Sequence, residues 1–248
     1  EEYGLLPDGD APRATAIRGT TEPSPVTSNA TDRVDFTVGE ALRTPTFWFL
    51  STGHGFTSMV MIGMMAHLAP MMTDRGYSLE TAAFVLTTYT FTSMFFQIIG
   101  GFVGDRVPKN LALTVFTLIQ SSSVFILTFG PATLGVAYGF AVVFGIGFGG
   151  RSPLTTSIRG DYFGRKSFGK IMGISQVPMN VQLLIAPIFA GLMRDWQGDY
   201  TVAFTVLGGL GVFGAVLFLF ATRPKPPVRA SRERPLSGGE TPCSAGTG

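Results

Sequence analysis

Residues 110–150, NLALTVFTLIQSSSVFILTFGPATLGVAYGFAVVFGIGFGG, form a run of 41 residues without a charged side chain. A helix needs about 20 mostly apolar residues to cross a bilayer, and Phe129-Gly130-Pro131 breaks this run near its middle, so it reads as two spans. On either side, residues 44–73, 81–104, 171–193 and 200–222 are also uncharged. The chain has 248 residues, 46% hydrophobic and only 14% charged, and its charge is confined to the gaps between these windows. Six spans are predicted: Thr46 to Met72, Glu80 to Gly104, Asn110 to Phe129, Pro131 to Ser152, Phe168 to Met193 and Asp199 to Thr222. The fold class expected is an all-α membrane protein with a six-transmembrane-helix bundle. A soluble domain and a disordered polymer are both excluded.

The flanks divide the chain. Residues 1–45 are polar and rich in Pro, Gly, Ser and Thr, without the charged start and apolar run of a signal peptide, and are expected to be a largely disordered cytoplasmic loop. Residues 46–222 hold the spans, and 223–248 form a basic tail. The chain begins at Glu1, which suggests a fragment of a longer protein. With residues 1–45 inside, sixteen of the eighteen basic residues lie on the inner side, and only Arg75 and Arg194 lie outside. The positive-inside rule then puts both ends in the cytoplasm of a cell-membrane protein. The one cysteine, Cys243, excludes an intrachain disulfide and a cysteine-rich metal site. No nucleic-acid partner is indicated, because the basic residues flank apolar spans and make no solvated stripe.

Glycines spaced four apart, Gly100 and Gly104, Gly135 and Gly139, Gly145 and Gly149, suit close helix packing in lipid. Gly145, Gly147 and Gly150 also spell a dinucleotide-binding pattern, but no strand precedes them and the run is apolar throughout, so packing is the better reading.

At the turn after the second span stands Gly101-Phe102-Val103-Gly104-Asp105-Arg106-Val107-Pro108-Lys109. The glycines thin the helix end, Pro108 suits a helix start, and Asp105, Arg106 and Lys109 can either hold the turn in one of two arrangements or simply be solvated. This stretch resembles the loop motif of the major facilitator superfamily, which recurs between the second and third helices of each six-helix half. A second stretch, from Gly145 through Arg151 and Pro153 to Arg159, Asp161, Gly164, Gly169, Lys170 and Gly173, resembles the fourth-to-fifth helix region in the carboxy-terminal half. It is most similar to the branch of oxalate/formate antiporters and monocarboxylate transporters. The acidic start, Glu2 to Asp10, is similar to that superfamily's central loop. The resemblance implies that the spans are helices seven to twelve, one half of a twelve-helix fold, and that the partner is an amino-terminal half absent from this sequence. Secondary transport of a small solute, an organic anion in that branch, with a coupled proton or an antiported anion, follows as the implied function. Members handling small carboxylates carry an intramembrane cation in the second or fifth helix of this half, and this chain has none there. Arg151 reads as an anchor at the inner end of the fourth span.

Polar side chains inside spans are the remaining candidates, for hydrogen bonding to neighbouring helices or for lining a substrate path. Thr90, Ser93, Gln97, Gly101 and Gly104 share one face of the second span, and Gln176 and Asn180 share one face of the fifth. His54 and His67 in the first span are 13 residues apart and do not face one site together. Gly63 and Pro70 make His67 the stronger functional candidate. No cofactor is implied. An intramembrane serine protease is disfavoured: Gly173-Ile174-Ser175 is followed by Gln176, and both histidines lie on one span. The H-E-x-x-H pattern is absent. A six-helix sensor or receptor without transport stays open.

Overall fold

The computed structural model describes residues 35–225, and the expected loop at 1–34 and tail at 226–248 lie outside the described residues. Seven helices and no strand occur among the described residues: α1 Val38–Leu42, α2 Pro45–Asp74, α3 Leu79–Gly104, α4 Lys109–Phe129, α5 Leu134–Phe163, α6 Phe168–Gln197 and α7 Thr201–Phe220. All but α1 are long and apolar enough to cross a membrane. Their starts follow local chemistry. Thr44, Ser78 and Thr133 accept the free N–H of Phe47, Thr81 and Val136, and Pro45 occupies the first turn of α2, where its missing N–H costs nothing. Gly198 closes α6 in the left-handed conformation (φ 81°), which glycine adopts without strain.

Residues 35–45 are ordered, although they fall within the expected loop. Thr37 and Glu40 make a reciprocal capping box at α1. Phe36 is buried edge-on against Phe163 at 5.6 Å, and Asp35 accepts the backbone N–H of Arg165 and Lys166. The larger correction concerns the fourth span, which does not stop at Ser152. α5 continues through Arg151, Pro153 and Arg159 to Phe163. A proline and two arginines read as a stop signal in sequence, but both guanidiniums turn inward and find partners in the bundle.

α3 packs on α5, α5 on α4, α4 on α7, α7 on α2, and α2 on α6, whereas the neighbours in sequence α3 and α4, and α6 and α7, touch little. α3 and α6 therefore stand at the two ends of the packing order. Glycines set the closest approaches. A Cβ on Gly100 would lie 2.2 Å from the carbonyl oxygen of Gly150, one on Gly149 2.3 Å from that of Ser93, and one on Gly147 2.4 Å from the amide nitrogen of Gln120. The glycine pattern of α5 is thus a two-sided packing surface, with α3 on one side and α4 on the other. Gly135 and Gly139, expected to pack closely, have nothing within 4 Å of such a Cβ.

Both described ends of the chain share one end of the bundle, where Thr46 donates to the carbonyl of Thr222 at 2.8 Å. This basic end also holds Arg106, Lys109, Arg165, Lys166 and Lys170. At the opposite end Arg75 donates to the carbonyls of Leu127 and Thr128, capping α4, and Arg194 pairs with Asp74 at 3.2 Å.

Candidate functional site

Apolar packing divides into two clusters, one towards each end of the bundle. The first includes Met64, Phe140, Phe144 and Phe204; the second includes Phe47, Leu113, Phe163 and Phe218. Between them lies a buried polar layer: Ser51, Thr57 and Ser58 on α2, Thr117, Gln120, Ser121 and Ser123 on α4, Arg151 on α5. Arg151 stands 12 residues before Phe163, about 18 Å along the helix at 1.5 Å per residue, so it is well inside the bundle.

Arg151 is only 2% exposed, and its Nε donates to Oε1 of Gln120 at 2.7 Å. Nη2 donates to the carbonyl of Thr57 at 3.3 Å, and the guanidinium sits 5.3 Å from the Phe148 ring. Two turns on, Arg159 is equally buried. It donates to the carbonyl of Thr155 on its own helix, to the carbonyl of Leu50 at 3.5 Å, and from Nη2 to Nδ1 of His54 at 3.3 Å. Both arginines thus bridge α5 to α2, two helices that otherwise make few contacts. Guanidinium has no acceptor lone pair, so Nδ1 of His54 accepts, and the ring is the neutral tautomer protonated at Nε2.

Among the described residues, neither guanidinium is bonded to a carboxylate. Asp74 and Asp161, which pair with Arg194 and Lys109, are at opposite ends of the bundle. Several polar atoms in and beside the layer also lack a partner: Ser51 Oγ, Thr117 Oγ1, Gln120 Nε2 and Arg159 Nε. An uncompensated buried cation is costly, which makes this layer the most chemically loaded part of the molecule. It escaped the sequence reading, which placed Arg151 and Arg159 at the inner surface. The signal was the row Arg151, Thr155, Arg159, spaced four apart on one helical face.

The residues singled out in sequence scatter. His67 is fixed at the end opposite the basic one. Its Nε2 donates to the carbonyl of Pro187 at 3.0 Å, since a carbonyl can only accept, and its Nδ1 takes the Tyr200 hydroxyl at 3.2 Å. Ser93 is buried against α5 at Gly149 and bonds back to the carbonyl of Thr90. Thr90, Gln97 and Asn180 are exposed on α3 and α6. Gln176 is half-buried, with Oε1 unpartnered, and Gln182 folds over Gly55 on α2.

In the loop motif, Gly104 admits Leu154 of α5, and Gly101 has open space beside it. Asp105 ends α3 and is exposed, while Arg106 lies over the Phe102 ring at 3.4 Å. Lys109 is bound to Asp161 and to Ser157 of α5. The polar contact that ties this turn to α5 is therefore made by the lysine.

Six apolar helices enclosing a cationic layer define a multi-pass membrane protein. The sequence pattern of the Major Facilitator Superfamily matches residues 47–246, and the chain belongs to that family. It is 26% identical over 168 residues to monocarboxylate transporter 11 of Homo sapiens, covering 64% of this chain and 36% of that protein. Monocarboxylate transporter 13 of Rattus norvegicus is 27% identical over 156 residues, covering 60% and 35%. The uncharacterized MFS-type transporter YhjX of Escherichia coli (strain K12) is 20% identical over 164 residues, covering 65% and 40%. The chain thus spans little more than a third of the length of these relatives. Among solved structures, a proton dependent oligopeptide transporter aligns with a TM-score of 0.64 at 18% identity, covering 76% of this chain and 44% of that one. An auto inhibited POT family peptide transporter aligns at 0.62 and 18%, covering 74% and 39%. At these identities the structures establish a shared fold alone.

Proposed function

We propose that this chain is the carboxy-terminal six-helix half of a secondary active transporter, helices seven to twelve, which moves a small solute by rocking against an amino-terminal half. One observation carries the reading. α3 and α6, at the two ends of the packing order, keep a membrane-length face uncovered, with Thr90, Gln97 and Asn180 set among Phe91, Ile98, Val177 and Leu184. A polar row on such a face suits contact with a water-filled cavity and a second bundle better than contact with lipid. Gly101, Gly104, Asp105, Arg106 and Lys109 act in conformational switching at the basic end.

An organic anion is the solute class favoured by the names of the monocarboxylate relatives, with a coupled proton or an exchanged anion. The cell membrane is the expected site, with both chain ends cytoplasmic. Removing the buried Arg151 and Arg159 from the sixteen inner basic residues leaves fourteen against two, so the charge asymmetry survives.

Uptake tests the reading. The chain alone in liposomes should show no saturable uptake of radiolabelled lactate, pyruvate or oxalate. Joined to its amino-terminal half, it should take up at least one small organic anion. Saturable uptake by the chain alone, or uptake of only uncharged solutes by the joined protein, contradicts it.

A further inference from the structure

We infer that the polar layer is a binding site for a small monovalent anion, held inside this six-helix bundle by Arg151, Gln120 and Thr117. The layer holds more hydrogen-bond donors than acceptors. Nε of Arg151 needs an acceptor, so the Gln120 amide is oriented with Oε1 towards it at 2.7 Å. That orientation turns the other end of the amide, Nε2, into a surplus donor. It is buried and unpartnered, on a side chain 1% exposed.

Thr117 lies one turn before Gln120 on the same face of α4, wholly buried, and its hydroxyl is also without a partner. The guanidinium itself is bonded only through Nε and Nη2 among the described residues, which leaves Nη1 with two further N–H groups. Unused donors on two facing helices and a whole positive charge therefore sit in one layer. Water could accept from these donors but would leave the charge unmet, whereas an anion answers both needs. One charge suffices, because Arg159 is directed elsewhere, to two carbonyls and to His54.

The site differs from the proposed solute path. α4 packs on α5 and α7, on the side of the bundle away from the uncovered faces of α3 and α6. Gly147 brings the α5 backbone into close contact with Gln120, so the ion these donors would take is a compact one of halide or formate size.

The experiment is thermal unfolding of the full 248-residue chain in lipid nanodiscs, with sodium gluconate replaced stepwise by chloride or by formate at constant ionic strength. A saturable rise in Tm with either ion is expected. Gln120→Met and Thr117→Val should weaken the apparent Kd by at least about tenfold, the scale of one hydrogen bond to a charged group, while Ser122→Ala on the exposed side of α4 keeps the response. A response to chloride alone identifies a resident halide; an equal response to formate identifies a site that takes a carboxylate group. Should either variant fail to fold, equilibrium dialysis of wild-type chain with radioactive chloride and formate decides. Absence of a Tm response and of bound ion, or unchanged affinity in both folded variants, overturns the site.

Discussion

Arg159 on α5 donates to His54 on α2 at 3.3 Å, and with Arg151 it ties together two helices that share little other surface. The separation of α2 and α5 thus depends on cations bonded to backbone carbonyls and an imidazole, with no ion pair between the helices. Such a bridge can open without separating opposite charges.

The two partners of this bridge should respond unequally to removal. His54→Leu leaves the Arg159 guanidinium buried with one acceptor fewer and should destabilise the bundle by about 1–3 kcal/mol. Arg159→Met removes the buried charge altogether and should be close to neutral. Thermal unfolding in one lipid composition checks both, and equal losses would contradict the asymmetry.

Lys109 should matter more to motion than to stability. Its partner Asp161 is 55% exposed at the side chain, and such ion pairs contribute about 0.2–1 kcal/mol. Lys109→Gln should therefore barely shift unfolding but slow transport by the joined protein, and Lys109→Glu combined with Asp161→Lys should recover part of the rate. Asp105→Asn should slow transport with solute binding nearly intact.

Glycines of the same helical spacing should behave oppositely. Gly100→Ala forces a methyl group to within 2.2 Å of a backbone oxygen on α5, and overpacking of this kind costs about 1–3 kcal/mol. Gly139→Ala meets nothing within 4 Å and should gain up to about 1 kcal/mol of helix propensity. Unfolding midpoints of the two variants should move in opposite directions.

The helices were legible because hydrocarbon tolerates so little charge. Five of six spans were read to within about four residues at either end, and of the α5 glycines read as packing, Gly145 and Gly149 do pack whereas Gly135 and Gly139 do not. The fourth span failed where that logic fails. Charge marks a helix end only if the side chain reaches water, and Arg151 instead reaches Gln120. Helical periodicity grouped Ser93 with Thr90 and Gln97, but α5 covers only the Ser93 edge of that face. His67 drew attention for its titratable ring, and only tertiary structure shows Tyr200 and Pro187 on both of its nitrogens.

Orientation can be tested at exposed turns on opposite ends. With Cys243→Ser as background, Lys166→Cys at the basic end should resist an impermeant thiol reagent in intact cells, and Ala132→Cys between α4 and α5 should be labelled. The reverse pattern would place the basic end outside.

The uncovered faces of α3 and α6 make the sharpest distinction between a solute path and packing. Gln97 and Asn180 are exposed, whereas Gln182, two residues beyond Asn180, folds over Gly55 of α2. If solute passes along the exposed polar row, Gln97→Ala and Asn180→Ala in the joined protein should each raise the Kd for solute by about tenfold, the cost of one hydrogen bond to a charged group, with little change in unfolding. Gln176→Ala, at the half-buried end of the row, should weaken binding less. Gln182→Ala should instead lower thermal stability, because it empties the space beside Gly55, and leave affinity unchanged. Binding by isothermal titration and unfolding of the same preparations separate these outcomes. Wild-type affinity in both Gln97→Ala and Asn180→Ala would assign the row to contact between halves, with no part in the solute path.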